Sequence, residues 1–152
     1  MEKIEVLQSI RAARRAHIQW VDRAKSLVNG LSVKKEQIPL EVTECSFGKW
    51  FYCDGQILLS FFTEEAITKL DNKHKELHDI YMKIFKIYFP EPKGSFLTKL
   101  FMSRVEITAQ DEHNALAYLR NLEEVSKELI SFLNIIEQKL NKVDEATFAK
   151  YM

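Results

Sequence analysis

The chain has 152 residues, 46% of them hydrophobic and 29% charged. These are the proportions of one ordinary globular domain, which buries roughly two-thirds of its unfolded surface and needs neither metal nor disulfide merely to fold. Lys plus Arg equals Asp plus Glu at 22 each, and a formal net charge of zero disfavours long-range attraction to nucleic acid or an anionic membrane. With 4 Gly and 3 Pro in the whole chain, little material is left for β-turns, and the composition favours helix.

The first predicted element is a long amphipathic helix. Val6, Ile10, Ala13, His17, Trp20, Ala24, Leu27 and Leu31 recur at steps of three and four, and the helix ends near Gly30. Arg11, Arg14, Arg15, Arg23 and Lys25 occupy its outward positions and read as a solvated face, since no aromatic residues interleave with them. A polar connector from Ser32 to Thr43, with Pro39 inside it, follows. The segment TECSFGKWFYCDGQ then carries Cys45, Phe47, Trp50 and Phe51 on a short helix expected to open at Thr43 and stop at Asp54-Gly55. A helix of that length is not stable alone and must be held by its neighbours.

Thr63 followed by Glu64 and Glu65 predicts the start of a third helix. Its stripe is Ile67, Leu70, His74, Leu77, Tyr81, Ile84 and Tyr88, and Pro90 and Pro92 end it. The apolar stretch from Lys93 to Ile107 either begins the last helix or forms a separate packing turn. A final stripe at Leu119, Leu122, Ser126, Leu129, Leu133, Ile136 and Leu140 makes the last long helix, and a fraying tail runs to Met152. Three long helices and one short Cys-bearing helix imply an all-α four-helix bundle, a single domain over residues 1–152. No stretch approaches the length of a membrane helix; the densest, Ile80 to Phe89, carries Lys83 and Lys86. The N-terminus fits neither a signal peptide nor an anchor, so a cytoplasmic protein with reduced thiols is expected.

The informative positions are those where stripe and chemistry disagree. His17 sits in mid-stripe where Leu would be expected, and a buried imidazole must find partners for its ring nitrogens or lose about 1–3 kcal/mol. Alone, such a residue is more often a hydrogen-bonded core histidine than a ligand. His74 and His78 lie four residues apart on one helical face and can point at one cation, although that spacing also arises by chance. In an antiparallel bundle the middle of the first helix can face the early third helix, and the short helix can bring Cys45 to the same layer. A helix N-terminus favours the thiolate form of that cysteine. Three imidazoles and a thiolate are a donor set that zinc prefers; a carboxylate-bridged iron site would need Glu beside the histidines on several helices.

The elements HIQW (His17 to Trp20), CSFGKW (Cys45 to Trp50) and HKELH (His74 to His78) resemble, in order, the motif of the chemoreceptor zinc-binding domain, a bacterial family. The gaps agree as well, with 27 residues between His17 and Cys45 and 23 between Trp50 and His74. The resemblance spans about residues 10–140 and implies a Zn2+ ion held by His17, Cys45, His74 and His78 in an often dimeric four-helix bundle. It further implies a regulatory sensor of zinc or of oxidants such as hypochlorous acid, in chemotaxis or cyclic-di-GMP signalling. Such domains are usually attached to an output module. Here no room for one is expected, so the signal would pass to a partner protein or through a change of oligomer, a homodimer being expected.

Phe47, Gly48 and Trp50 read as packing around the donors, with Gly48 allowing a close approach and Trp20 packing on the same layer. Cys53 reads as an idle or buried thiol, or else as a resolving partner for oxidised Cys45. His113 reads as a surface residue, and Asp71 or Asp79 could orient a ligand imidazole. An enzyme is disfavoured by the lack of a nucleophile elbow or a phosphate-cradling loop. The competing class is an adaptor bundle, stapled permanently by zinc, whose outer faces bind a partner protein.

Overall fold

The computed structural model describes residues 2–31, 33, 41–89 and 107–151. Among them, helix α1 spans Lys3–Val28, α2 Ser46–Phe51, a 3-10 helix Asp54–Ser60, α3 Glu64–Tyr88, α4 Ala109–Lys142 and α5 Glu145–Ala149. The fold is all-α, a bundle of three long helices with the short Cys-bearing helix laid against it. Most of the connector around Pro39, the two prolines after α3 and the stretch up to residue 106 lie outside the described residues.

Local chemistry sets the ends. The Glu2 amide donates to Glu5 Oε2 at 2.6 Å at the start of α1. Its end is a Schellman turn: Gly30 takes φ 76, its N–H reaches Leu27 O at 3.1 Å, and Leu31 N–H reaches Ser26 O at 2.9 Å. Leu31 itself points outward, 62% exposed, because it lies beyond the left-handed residue that terminates the helix. Thr63 caps α3 by accepting from Ala66 N–H, as expected. Thr108 and Asp111 form a reciprocal capping box that starts α4.

Ion pairs fix the directions. Arg11 and Arg14 meet Glu137, and Lys25 meets Glu123, so α1 and α4 are antiparallel. Lys73 meets Glu128 and Lys83 lies over Tyr118, so α3 and α4 are antiparallel too. Helices α1 and α3 therefore run the same way, both against α4, rather than opposing each other. The basic positions of α1 also differ from the solvated face expected: three of them join α1 to α4.

The stripes form one core. Ile10, Leu70, Leu77, Ile84, Leu122, Leu129, Leu133 and Leu140 are fully buried, each worth about 1.5–3 kcal/mol relative to exposure. Residues 144–151 are not a fraying tail. Asp144 caps α5, and Phe148, 2% exposed, stacks on Phe61 just after the 3-10 helix at 4.9 Å.

Candidate metal centre

Four polar side chains interrupt this core in one layer: His17 from α1, Cys45 from the turn before α2, and His74 and His78 from α3. All four are buried, with relative exposures of 1%, 4%, 0% and 2%. One ligand atom from each can be chosen so that all lie within 4.8 Å of one another. A tetrahedral zinc site has donor–donor edges of about 3.3–3.6 Å, from bond lengths near 2.05 Å to nitrogen and 2.3 Å to sulfur. A contraction of about an ångström therefore brings the set to bonding geometry. Cys45 Sγ already stands 3.2 Å from His74 Nε2.

His17 Nδ1 lies 2.7 Å from the Ala13 carbonyl one turn back. A carbonyl only accepts, so Nδ1 carries the proton and Nε2 keeps its lone pair for a cation. Burial lowers the His17 pKa to about 4, against the Ala13 bond, which raises it. Burial, with the charges of His17 and His78 behind it, lowers His74 to about 2. Both rings are neutral near pH 7, the form that ligates. His74 Nδ1 has no hydrogen-bond partner among the described residues, so the protein compensates little for burying that ring. A cation on Nε2 would give the buried ring one strong interaction, although Nδ1 would still lack a partner among the described residues.

Cys45, not Thr43, is the N-cap of α2. Its sulfur accepts from Gly48 N–H at 3.1 Å, and its S–H donates to Val42 O at 3.3 Å. Burial raises the thiol's pKa, outweighing the Gly48 and Phe47 amides and Lys49, which lower it. The helix terminus thus acts in the expected direction, but desolvation is larger. Gly48 has no room for a side chain: a Cβ there would meet Val42 O at 1.8 Å. The close approach anticipated at this glycine is a backbone carbonyl.

Rings wall the cluster. Phe47 packs edge-on to His74 at 4.8 Å and to His17 at 5.7 Å, and Trp20 lies 4.6 Å from His78. Trp50 is half-buried and packs on Phe47, one step away from the histidines. Cys53 is exposed, as are His113 and Asp79. Asp71 does not orient His74. Its Oδ1 accepts from Tyr52 O–H at 2.6 Å and its Oδ2 from Lys75 Nζ at 2.6 Å. Both the Ala13 carbonyl and the Tyr52 bond escaped the sequence reading. The first is carried by the backbone, and the second joins residues 19 apart.

No helix among the described residues is long and apolar enough to cross a membrane. No curated protein and no solved structure matches the chain. Residues 17–85 match the chemoreceptor zinc-binding domain, a narrower span than the resemblance read from the motifs, ending inside α3 and leaving α4 beyond it. The matched segment carries all four residues of the cluster, His17, Cys45, His74 and His78, and is consistent with a domain of the chemoreceptor zinc-binding family.

Proposed function

We propose that the chain is a zinc-binding sensor domain in which His17, Cys45, His74 and His78 hold one Zn2+ ion. The observation that carries this reading is the convergence of three imidazoles and one thiol, all buried, with ligand atoms within 4.8 Å of one another. When bound, the ion supplies a bond between three separate elements, α1, the cap of α2, and α3. Four protein donors fill a tetrahedral sphere and give substrate water no position, which favours regulation over hydrolysis.

Ligand deprotonation and folding of this layer are coupled, so binding energy is stability energy for α2. Loss of the ion releases α2 from the long helices. Oxidation of Cys45 does the same: the thiolate sulfur attacks hypochlorous acid, takes its hydroxyl group as the sulfenic acid, and chloride leaves. The released segment signals to a partner protein, or through a homodimer, in a bacterial pathway of the chemotaxis or cyclic-di-GMP kind. Complete burial of the donors also suits a permanent staple in an adaptor bundle, and the rate of metal exchange separates the two readings.

The test is metal content by plasma mass spectrometry on the protein and on Cys45→Ala, with a chelator titration followed by circular dichroism. A stoichiometry of about one zinc per chain is expected, weakened in the variant and removable with only local loss of helix. Protein purified without chelator and free of zinc overturns the proposal. Zinc that neither chelator nor oxidant removes favours the adaptor.

A further inference from the structure

Cys45 and the two α3 histidines reach the cluster from different parts of the molecule. Helix α2 packs against α1 and the 3-10 helix, and the 3-10 helix in turn meets α3. With only six residues, α2 cannot hold its orientation by itself; the packing of buried Phe47 and Phe51 holds its middle, and bonds at its two ends fix its direction. One end is Cys45. The other is Tyr52, the residue that caps its C-terminus.

The Tyr52 hydroxyl donates to Asp71 Oδ1 at 2.6 Å in a half-buried setting. Asp71 sits on α3 one turn before His74, and Lys75 Nζ holds its second oxygen at 2.6 Å, so the acceptor is fixed in place. A short O–H to carboxylate bond is of the strong, charge-assisted kind. It joins the element that carries the thiol to the helix that carries two imidazoles, away from the donor atoms themselves.

We propose that Tyr52 and Asp71 are a positioning pair for the metal, holding α2 where Cys45 Sγ stands 3.2 Å from His74 Nε2 and so slowing escape of the thiolate ligand. This rests on the zinc reading above. Neither residue touches the ion; both act through Cys45.

The experiment measures zinc affinity by competition with a chromophoric chelator, zinc release rate, and Co2+ absorption. It uses the full chain, Tyr52→Phe, Asp71→Asn, Cys45→Ala and the Tyr52→Phe/Cys45→Ala double variant. Tyr52→Phe is expected to weaken zinc about ten-fold, mostly through faster release, while keeping the sulfur-to-cobalt charge-transfer band. Asp71→Asn, whose amide oxygen still accepts from the hydroxyl, is expected to lose less. In the Cys45→Ala background Tyr52→Phe should have no further effect, whereas a general loss of stability would weaken the histidine-only site as well. Wild-type release and affinity in Tyr52→Phe, or an undiminished ten-fold loss without the thiol, overturns the positioning role and leaves the zinc reading standing. A wild-type chain that binds no zinc overturns both.

Discussion

Cys45 and His74 are 29 positions apart in the chain, yet their Sγ and Nε2 atoms face each other at 3.2 Å in a layer they share with His17 and His78, inside an otherwise apolar core. A thiol and an imidazole gain little from one another in such surroundings. Desolvation favours the uncharged form of each, and one S–H bond cannot satisfy two ring nitrogens and a sulfur. The arrangement costs stability without a cation and gains it with one.

That cost is measurable at His74. Replacing it with Leu, a side chain of similar size, removes a buried polar group whose Nδ1 has no partner among the described residues. The metal-free His74→Leu protein is expected to be more stable than metal-free wild type by about 1 kcal/mol. Added zinc should raise the melting temperature of wild type by more than that of the variant, which keeps three of the four candidate ligands. Thermal melts with zinc and with chelator check both halves. A variant that melts lower than wild type in chelator would show that the core satisfies the ring without metal.

The bundle and the clustering of these four residues are legible because each rests on a local signal. His17, His74 and His78 stood out by occupying helical stripe positions, and Cys45 by preceding a short helix. What was not legible depended on distance in the chain or on backbone geometry. Helices α1 and α3 run in the same direction because both oppose α4, a relation fixed by Arg11, Arg14 and Lys73 finding acidic partners on α4. Sequence periodicity says which face is apolar and nothing about which way a neighbour runs. Likewise, Thr43 has the better capping chemistry, but it is the Cys45 sulfur that accepts from Gly48 N–H, and the helix starts after it.

Gly48→Ala tests the close approach of Val42 O. Its Cβ would meet the Val42 carbonyl carbon at 2.9 Å as well as the oxygen, and both are backbone atoms that cannot rotate aside. The turn that carries Cys45 must shift, at an expected cost of about 1–3 kcal/mol. Zinc affinity should fall with it, since the Gly48 N–H to Sγ bond of 3.1 Å is disturbed at the same time. Denaturant unfolding and chelator competition on one sample read both effects. Wild-type values in both would mean that the turn has room to yield.

The seam between α1 and α4 gives a pH-dependent prediction away from the cluster. Glu137, its side chain 13% exposed, accepts from Arg11 Nε and Arg14 Nη1, each at 2.6 Å. The Arg11 bond holds its pKa below the ordinary 4.5, against burial, which raises it. A carboxyl lowered in the folded state adds stability that is full above its unfolded pKa and lost as pH falls through the folded one. Glu137→Gln should therefore cost about 1 kcal/mol at neutral pH. The difference from wild type should shrink below pH 4.5. Urea unfolding in chelator across that range checks it, and a constant difference would rule out the ion pairs as its source.

Helix α5, a loose end by sequence alone, is tied down at both of its ends. Lys3 Nζ donates to Val143 O at 2.6 Å and pairs with Glu145 at 3.4 Å, tying the start of α1 to the turn before α5. Phe148 stacks on Phe61, the ring planes 5° from parallel, and Tyr151 meets Phe61 edge-on at 5.1 Å. Phe61 ends the 3-10 helix, so the chain's C-terminal turn presses on the segment that follows Cys45. Truncating a buried Phe costs roughly 3–5 kcal/mol where the site cannot collapse. Phe148→Ala is expected near the lower figure, because α5 is short and can partly close the gap. Chemical denaturation gives the stability, and the rate at which a thiol reagent reaches Cys45 in chelator gives the local consequence. Both should change together, since loosening Phe61 loosens the 3-10 helix on which α2 rests. A loss within about 0.5 kcal/mol, the range of an exposed substitution, with unchanged thiol reactivity would mean that the tail frays in solution.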